Sequence, residues 1–331
     1  VRGVDGSQTA SRDYPTGKRS RDRWVVARRG ERAAISTDTP VGCFSEFEAD
    51  GAGGLAAVNT VLLANRECPW KCVMCDLWKH TLPDSVAEGE ILSQIDRAKA
   101  ALPPAPVWKL YNSGSFFDPH AIPRFDRERT AVRLADAERL VVENHPALSH
   151  RNMLPFAREF PGRLELAMGL ETAHPEMLEK LNKGFDLGGF RRAADFASAH
   201  DMDLRVFLLV HPPFLTQPEV ARRWLRRSVL FASGCGARVI SLIPVRSGNG
   251  AMDELQRDGQ FVPPGLPDLE DAFDDAREEF SGILQADLWD LERLANCPAC
   301  FGERRERLRE MNERQVRLPR ISCETCGAGV S

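Results

Sequence analysis

The chain has 331 residues, of which 43% are hydrophobic and 28% charged, with a formal net charge of −4. Such an apolar content supports a sizeable core and excludes wholesale disorder, and the slight negative charge excludes a globally basic nucleic-acid-coating protein. At roughly 150 residues per domain, the length fits about two domains, or one α/β barrel with an appendage. No apolar run approaches the roughly 18 residues of a membrane span. Residues 1–23 are polar and basic, without the apolar stretch of a secretory leader. Nine cysteines are present, and seven of them fall in three tight clusters. That spacing is unlike a secreted disulfide scaffold and implies metal-binding thiolates in a reducing, cytoplasmic setting.

Residues 1–22, rich in Ser, Arg, Asp and Gly, read as a flexible tail or as a basic arm for an acidic partner. Residues 23–56 close on Gly51, Gly53 and Gly54 and read as an N-terminal extension packed on the main domain. From Ala57 short apolar runs alternate with helical stretches. Strands are expected at 58–64, 107–111, 139–143, 164–170, 204–210 and 238–243. Val86, Ile91, Ile95 and Ala98 give 84–102 a helical spacing, which Pro103, Pro104 and Pro106 end. Further helices are expected at 175–181, 189–200 and 218–233. Six strands alternating with helices predict parallel βαβ units over residues 57–262. Pro263, Pro264 and Pro267 mark a linker into a C-terminal extension, 263–331, with an acidic helix over 269–293 and a cysteine-bearing tail.

The first strand runs into Glu67-Cys68-Pro69-Trp70-Lys71-Cys72-Val73-Met74-Cys75, a C-x3-C-x2-C spacing. Three thiolates in eight residues can wrap one face of an iron–sulfur cube and leave its fourth iron without a protein ligand. A reactive metal keeps such an open position for substrate. The competing reading is a zinc knuckle with a distant fourth ligand, or buried thiols. Ligands and catalytic groups collect at the C-terminal ends of parallel strands, which is where this loop falls.

The spacing resembles the signature of the radical S-adenosylmethionine (SAM) enzymes. The resemblance covers about 58–244 and implies a partial (β/α)6 barrel. It also implies a 4Fe–4S cluster on Cys68, Cys72 and Cys75, whose open iron takes the amino and carboxylate groups of SAM. One electron from the cluster would then cleave SAM to methionine and a 5′-deoxyadenosyl radical that abstracts hydrogen.

Later strand ends extend the likeness. Asn112-Ser113-Gly114-Ser115-Phe116 stands where the family's backbone meets the SAM amino group, although the usual paired glycines are absent. Read locally, it is a strand-to-helix turn capped by Ser115 or Asp118. Glu143-Asn144-His145-Pro146 is similar to a strand ending in the subfamily of oxygen-independent coproporphyrinogen oxidases and the elongator catalytic subunit, which implies that Glu143 contacts SAM. Gly169-Leu170-Glu171-Thr172 followed by Leu181-Asn182-Lys183-Gly184 resembles the same subfamily. That implies Glu171 on the SAM ribose hydroxyls and Lys183, where Arg is commoner, on the SAM carboxylate. The bland readings are an exposed strand-end acid and a solvated helix-end lysine. Asp76 and Trp78 are candidates for the adenine side. Arg205 and His211 flank the fifth strand, and His211-Pro212-Pro213 reads as a strand-exit turn. Ser113-Gly114-Ser115-Phe116, Gly-Leu-Glu-Thr and Asn-Lys-Gly-Phe together look like the radical SAM subunit of archaeosine synthase and its bacterial relatives. In the archaeal group the substrate is a lysine-bearing deazaguanine in tRNA; for this chain the substrate stays open between a modified tRNA base and a small metabolite.

Cys297-Pro298-Ala299-Cys300 and Cys323-Glu324-Thr325-Cys326 form two metal-gripping knuckles. They fit a closed zinc site, with an auxiliary iron–sulfur cluster or bare thiols as the alternatives. Between them lie Arg304, Arg305, Arg307, Arg309, Arg314, Arg317 and Arg320, a solvated helix face or a tRNA-touching tail. Cys43 and Cys235 stand alone. The expectation is a radical SAM enzyme that needs an electron donor. The rival is a non-enzymatic zinc protein that binds RNA or another protein, and metal content separates the two.

Overall fold

The computed structural model describes residues 14–327. Residues 1–13 of the expected tail lie outside the described residues. Eight strands form one sheet in chain order: β1 (Gly42–Ala49), β2 (Leu55–Leu62), β3 (Val107–Tyr111), β4 (Arg139–Glu143), β5 (Arg163–Glu171), β6 (Asp203–Val210), β7 (Val239–Pro244) and β8 (Ile283–Ala286). The six expected strands are β2 to β7. β2 to β8 run parallel, while β1 pairs antiparallel with β2 in the register Gly42↔Leu62 to Ala49↔Leu55. The sheet curls until its first strand nears its last two, so that Ala49 packs on Val239 and Ile283. The result is a nearly closed α/β barrel.

Ten helices accompany the strands: α1 (Lys18–Val26), α2 (Glu90–Ala101), α3 (Arg124–Arg133), α4 (Leu154–Glu159), α5 (Pro175–Lys180), α6 (Leu187–Ala199), α7 (Pro218–Gly234), α8 (Ala251–Arg257), α9 (Leu266–Glu279) and α10 (Pro298–Arg314). α2 starts at Glu90 rather than 84. Gly89 has φ +92°, and the Asp126 carboxylate accepts hydrogen bonds from the N–H groups of Gly89 and Ile91, so the cap comes from α3. The acidic helix expected over 269–293 stops at Glu279, and β8 follows within that span. Its four residues are too few to show a strand period. Residues 14–22 of the expected tail are ordered as well. Tyr14 and α1 cover the apolar cluster of Val25, Val73, Leu181, Leu209 and Met252.

Alternation along each strand divides the barrel. Trp108, Leu110, Leu140, Val142, Leu166, Val206, Leu208 and Ile240 point outward into the helical layer and form the main core. Charged residues on the inner face fill the N-terminal end. Glu165 is fully buried and takes Arg205 (2.7 Å), Arg238 (2.9 Å) and Arg139 (3.1 Å). Glu48 of β1 bridges to Arg205 (3.0 Å) and to Lys109. The Glu48 pairs join β1 to β3 and β6, which are not its neighbours in the sheet, so the charged cluster forms the floor of the barrel. Removing one partner would strand a buried charge, at a cost of about 3–5 kcal/mol. Above the floor, Tyr111 and Phe207 meet edge-on across the lumen at 6.2 Å. The mouth opens at the C-terminal ends of the parallel strands.

Candidate active site and metal centre

The Cys68–Cys75 loop leaves β2 at this mouth and is held by its own carbonyls. Lys71 Nζ donates to the Cys68 carbonyl (2.9 Å), and Asn182 Nδ2 donates to that of Lys71 (2.9 Å). Asn249 Nδ2 donates to the carbonyls of Val73 (2.8 Å) and Cys75 (3.1 Å). Burial would raise the Glu67 carboxyl, but Lys71, Arg29 and Arg32 hold it down at about 2. The loop is thereby clamped to the β5–α5 side, to the segment before α8 and to the N-terminal segment. Burial pushes the Cys68, Cys72 and Cys75 thiols up to about 12; neighbouring thiols add to this, and Lys183 opposes it at each. Such thiols stay protonated at neutral pH unless a metal displaces the proton. Three mutually interacting thiols beside one buried cation fit an anionic cluster that binds through three thiolates.

Gly114 of the loop after β3 lies against Cys68. Ser113 has φ +53°, which turns the local backbone amides toward Glu143 at the end of β4. Asn112 N–H donates to Glu143 Oε2 at 2.6 Å. Burial pushes the Glu143 carboxyl up to about 7, against the lowering effect of the Asn112, Ser113 and Gly114 amides. The Ser115 hydroxyl turns away and donates to Asn144 Oδ1 (2.7 Å). Asp118 caps a turn by accepting from His120 N–H (2.9 Å); no helix begins until Arg124.

Glu171 ends β5 at a bulge with φ +69° and accepts from Lys183 Nζ at 2.8 Å. The pair lies over Gly169, where a Cβ would stand 2.2 Å from Glu171 Oε1 and 2.8 Å from Lys183 Nζ. Burial works against the Lys183 charge, but Glu171 and the thiols hold its pKa above the ordinary lysine range. The Lys183 side chain is 11% exposed, which replaces the solvated helix-end lysine with a buried cation at the cysteine loop.

Two residues of this region carried no assigned role in the sequence. Trp70, between the first two cysteines, stacks on His145 with centroids 3.4 Å apart. His145 Nδ1 accepts from Ala147 N–H, so Nε2 carries the proton and donates to the Lys183 carbonyl (2.9 Å). Gly184, with φ +79°, makes room for Trp70, whose ring would lie 2.8 Å from a Cβ there. The Asn112 side-chain amide is buried with neither its oxygen nor its nitrogen partnered. A nearby apolar-and-basic cavity of about 1070 Å³ is lined by Lys18, Arg21, Phe185 and Arg192 among others. The sequence offered a signal only for Trp70, whose large ring interrupts a ligand loop.

Trp78 is buried beneath the Arg29 guanidinium (4.8 Å to the ring centroid) and Asp76 is exposed. Arg205 belongs to the barrel floor. His211, with φ +53°, turns the chain out of β6 beside Asp268 (3.7 Å). At the C-terminus, the ligand atoms of Cys297, Cys300, Cys323 and Cys326 all lie within 4.8 Å of one another. Six of the seven arginines between these cysteine pairs are ion-paired, including Arg304 with Glu270, Arg307 with Asp274 and Arg320 with Asp271. No described helix is long and apolar enough to cross a membrane.

No family model matches the chain. Two curated relatives align over 62% of it. One is an uncharacterized protein of Methanocaldococcus jannaschii (25% identity, 61% of that protein). The other is archaeosine synthase subunit beta of Methanosarcina acetivorans (27% identity, 63% of that protein). The chain thus spans about three fifths of the length of each. Solved structures with partial likeness include the radical S-adenosylmethionine methyltransferase TsrM from Kitasatospora setae (TM-score 0.45, 16% identity, 60% of this chain and 38% of that one). Methylornithine synthase PylB is another (TM-score 0.44, 14% identity, 73% and 79%). The motif likeness to an archaeosine synthase subunit is matched by the alignment with the Methanosarcina acetivorans protein.

Proposed function

We propose that this chain is a radical SAM enzyme. Cys68, Cys72 and Cys75 would hold a 4Fe–4S cluster, with SAM at the barrel mouth between the loops after β3, β4 and β5. When bound, the cluster supplies one electron to cleave the SAM sulfonium bond, and the resulting deoxyadenosyl radical removes a hydrogen atom from substrate. The observation that carries this reading is the buried Lys183–Glu171 pair, set beside the buried Cys72 and the half-buried Cys68 and Cys75 and backed by Gly169. Lys183 would bind the SAM carboxylate and Glu171 the ribose hydroxyls. Glu143 and the backbone of Ser113, Gly114 and Ser115 would receive the SAM amino group. The unpartnered side-chain amide of Asn112 faces the same need for a polar partner. Trp70, His145 and Gly184 hold the cysteine loop against the Lys183 loop, so that ligands and SAM contacts keep one geometry.

The substrate class is a modified base in tRNA. This rests on the relative from Methanosarcina acetivorans and on the shared motifs. The arginines of the C-terminal tail do not support it, because acids occupy most of them; any RNA contact falls to other surfaces. An external one-electron donor completes the reaction. Anaerobic reconstitution with iron and sulfide tests the reading. Wild-type protein should gain visible cluster absorption and form 5′-deoxyadenosine with a reductant, and Cys72→Ala should do neither. Equal product from both proteins would refute the assignment. Zinc without iron in anaerobically purified protein would favour the non-enzymatic rival.

A further inference from the structure

The four C-terminal cysteines come from two chain segments. Cys297 and Cys300 bracket the first turn of α10, and Cys323 and Cys326 return on the loop beyond it. Cys297 Sγ stands 3.9 Å from Cys323 Sγ, and Cys300 Sγ 3.9 Å from Cys326 Sγ. A tetrahedral ion with metal–sulfur bonds of about 2.3 Å sets its four sulfurs about 3.8 Å apart. Two of the six sulfur pairs have that spacing, and all four sulfurs lie within 4.8 Å of one another. In a four-iron cluster each thiolate binds its own iron, so the sulfurs stand at outer corners, too far apart for this arrangement. The charge balance agrees. Four thiolates around a divalent ion leave two negative charges. Arg304 Nε donates to Cys300 Sγ at 3.2 Å, and the N-terminus of a 17-residue helix faces the same sulfurs.

The other end of α10 meets the sheet. β8 is bonded to β7 along one edge only. Along the other edge, Asn312 Oδ1 accepts from Ala286 N–H (2.7 Å) and its Nδ2 donates to Ala286 C=O (2.8 Å). Gln315 does the same for Leu284, at 2.7 and 2.8 Å. Two side-chain amides thus imitate the ladder of a missing neighbour strand, covering backbone that would otherwise template aggregation.

We propose that Cys297, Cys300, Cys323 and Cys326 hold a single zinc ion, and that this ion fixes α10 as the cover of the barrel's last strand. The proposal is independent of the radical SAM assignment. It is tested on wild-type full-length protein and on a Cys68→Ala/Cys72→Ala/Cys75→Ala variant. Both should contain one zinc ion per chain, and cobalt in its place should give the intense visible bands of a four-thiolate tetrahedral ion. Iron and sulfide remaining in the triple variant would overturn the metal assignment while leaving the radical SAM reading intact. Stripping zinc with a mercurial should speed hydrogen exchange at the Leu284 and Ala286 amides by at least about tenfold. Unchanged exchange would overturn the cover role. Asn312→Ala/Gln315→Ala should keep the zinc and lose the same protection; protection retained there would equally overturn it.

Discussion

The two cysteine centres differ in how the chain supplies their ligands. Cys68, Cys72 and Cys75 come from one continuous loop, and the groups set against them come from the ends of β4 (Glu143) and β5 (Glu171) and from the loop after α5 (Lys183). The C-terminal four come from two knuckles 22 residues apart and complete a compact ligand set by themselves. On the proposed reading, one arrangement would leave a coordination position for a partner molecule and the other would leave none. The lesson is that ligand count matters less than what stands opposite the ligands. The open site faces a buried cation and a carboxyl ringed by backbone amides, whereas the closed site faces Arg304 and a helix end.

The sharpest test of this contrast is to remove one ligand from each. Cys72→Ala should eliminate iron binding and reductant-dependent deoxyadenosine formation while retaining zinc and the folded circular dichroism spectrum. Cys300→Ser should lose zinc and lower the melting temperature by roughly 10 °C, in line with the loss of a structural metal. Its reconstituted cluster absorption should persist at temperatures where the chain stays folded. A large thermal loss in Cys72→Ala, with none in Cys300→Ser, would invert the comparison.

Groups that are not ligands should matter only at the open site. Lys183→Met should weaken SAM binding by roughly 10- to 100-fold, the scale of one charge-assisted hydrogen bond, measured by equilibrium dialysis. Lys183→Arg should recover part of it. The smallest effect is that of pH. The Glu143 carboxyl titrates near 7 in the fold against 4.5 for an ordinary glutamate. Its ionised form is therefore disfavoured by folding, so its effect on stability turns unfavourable between pH 4.5 and 7 and is constant above. If the carboxylate receives the SAM amino group, affinity should rise severalfold from pH 6 to 8. Glu143→Gln should flatten that slope; a slope unchanged in the variant would remove Glu143 from the site.

Much of this was legible in the sequence for definite reasons. The C-x3-C-x2-C spacing is local, so eight residues state it. β3 and β4 were readable to the residue because each is a short apolar run between turns. Glu171 and Lys183 were visible only through motif likeness, because their pairing depends on the bulge at Glu171 and on the bare surface of Gly169. β1 and β8 were missed. β1 carries the alternating charges Glu46 and Glu48, which make sense only once the barrel closes over Lys109 and Arg205. β8 is four residues long and is completed by amides from a helix. The ionic floor did leave a trace, since Lys109, Glu165 and Arg205 each interrupt an apolar strand at an inward position. A single charge in a strand does not name its partner, and here Lys109 and Arg205 reach Glu48 across the lumen.

That sealed floor bears on the kinetics. Because Glu165, Lys109 and Arg205 close one end of the lumen, whatever reacts there must enter and leave by the mouth. On the proposed reading, a SAM molecule seated against Lys183 and Glu143 would lie deeper than a substrate as large as a nucleic acid. The order of addition would then be compulsory, SAM first and the bulky substrate second, with release in reverse. Steady-state inhibition by 5′-deoxyadenosine should accordingly be competitive toward SAM and not toward the substrate.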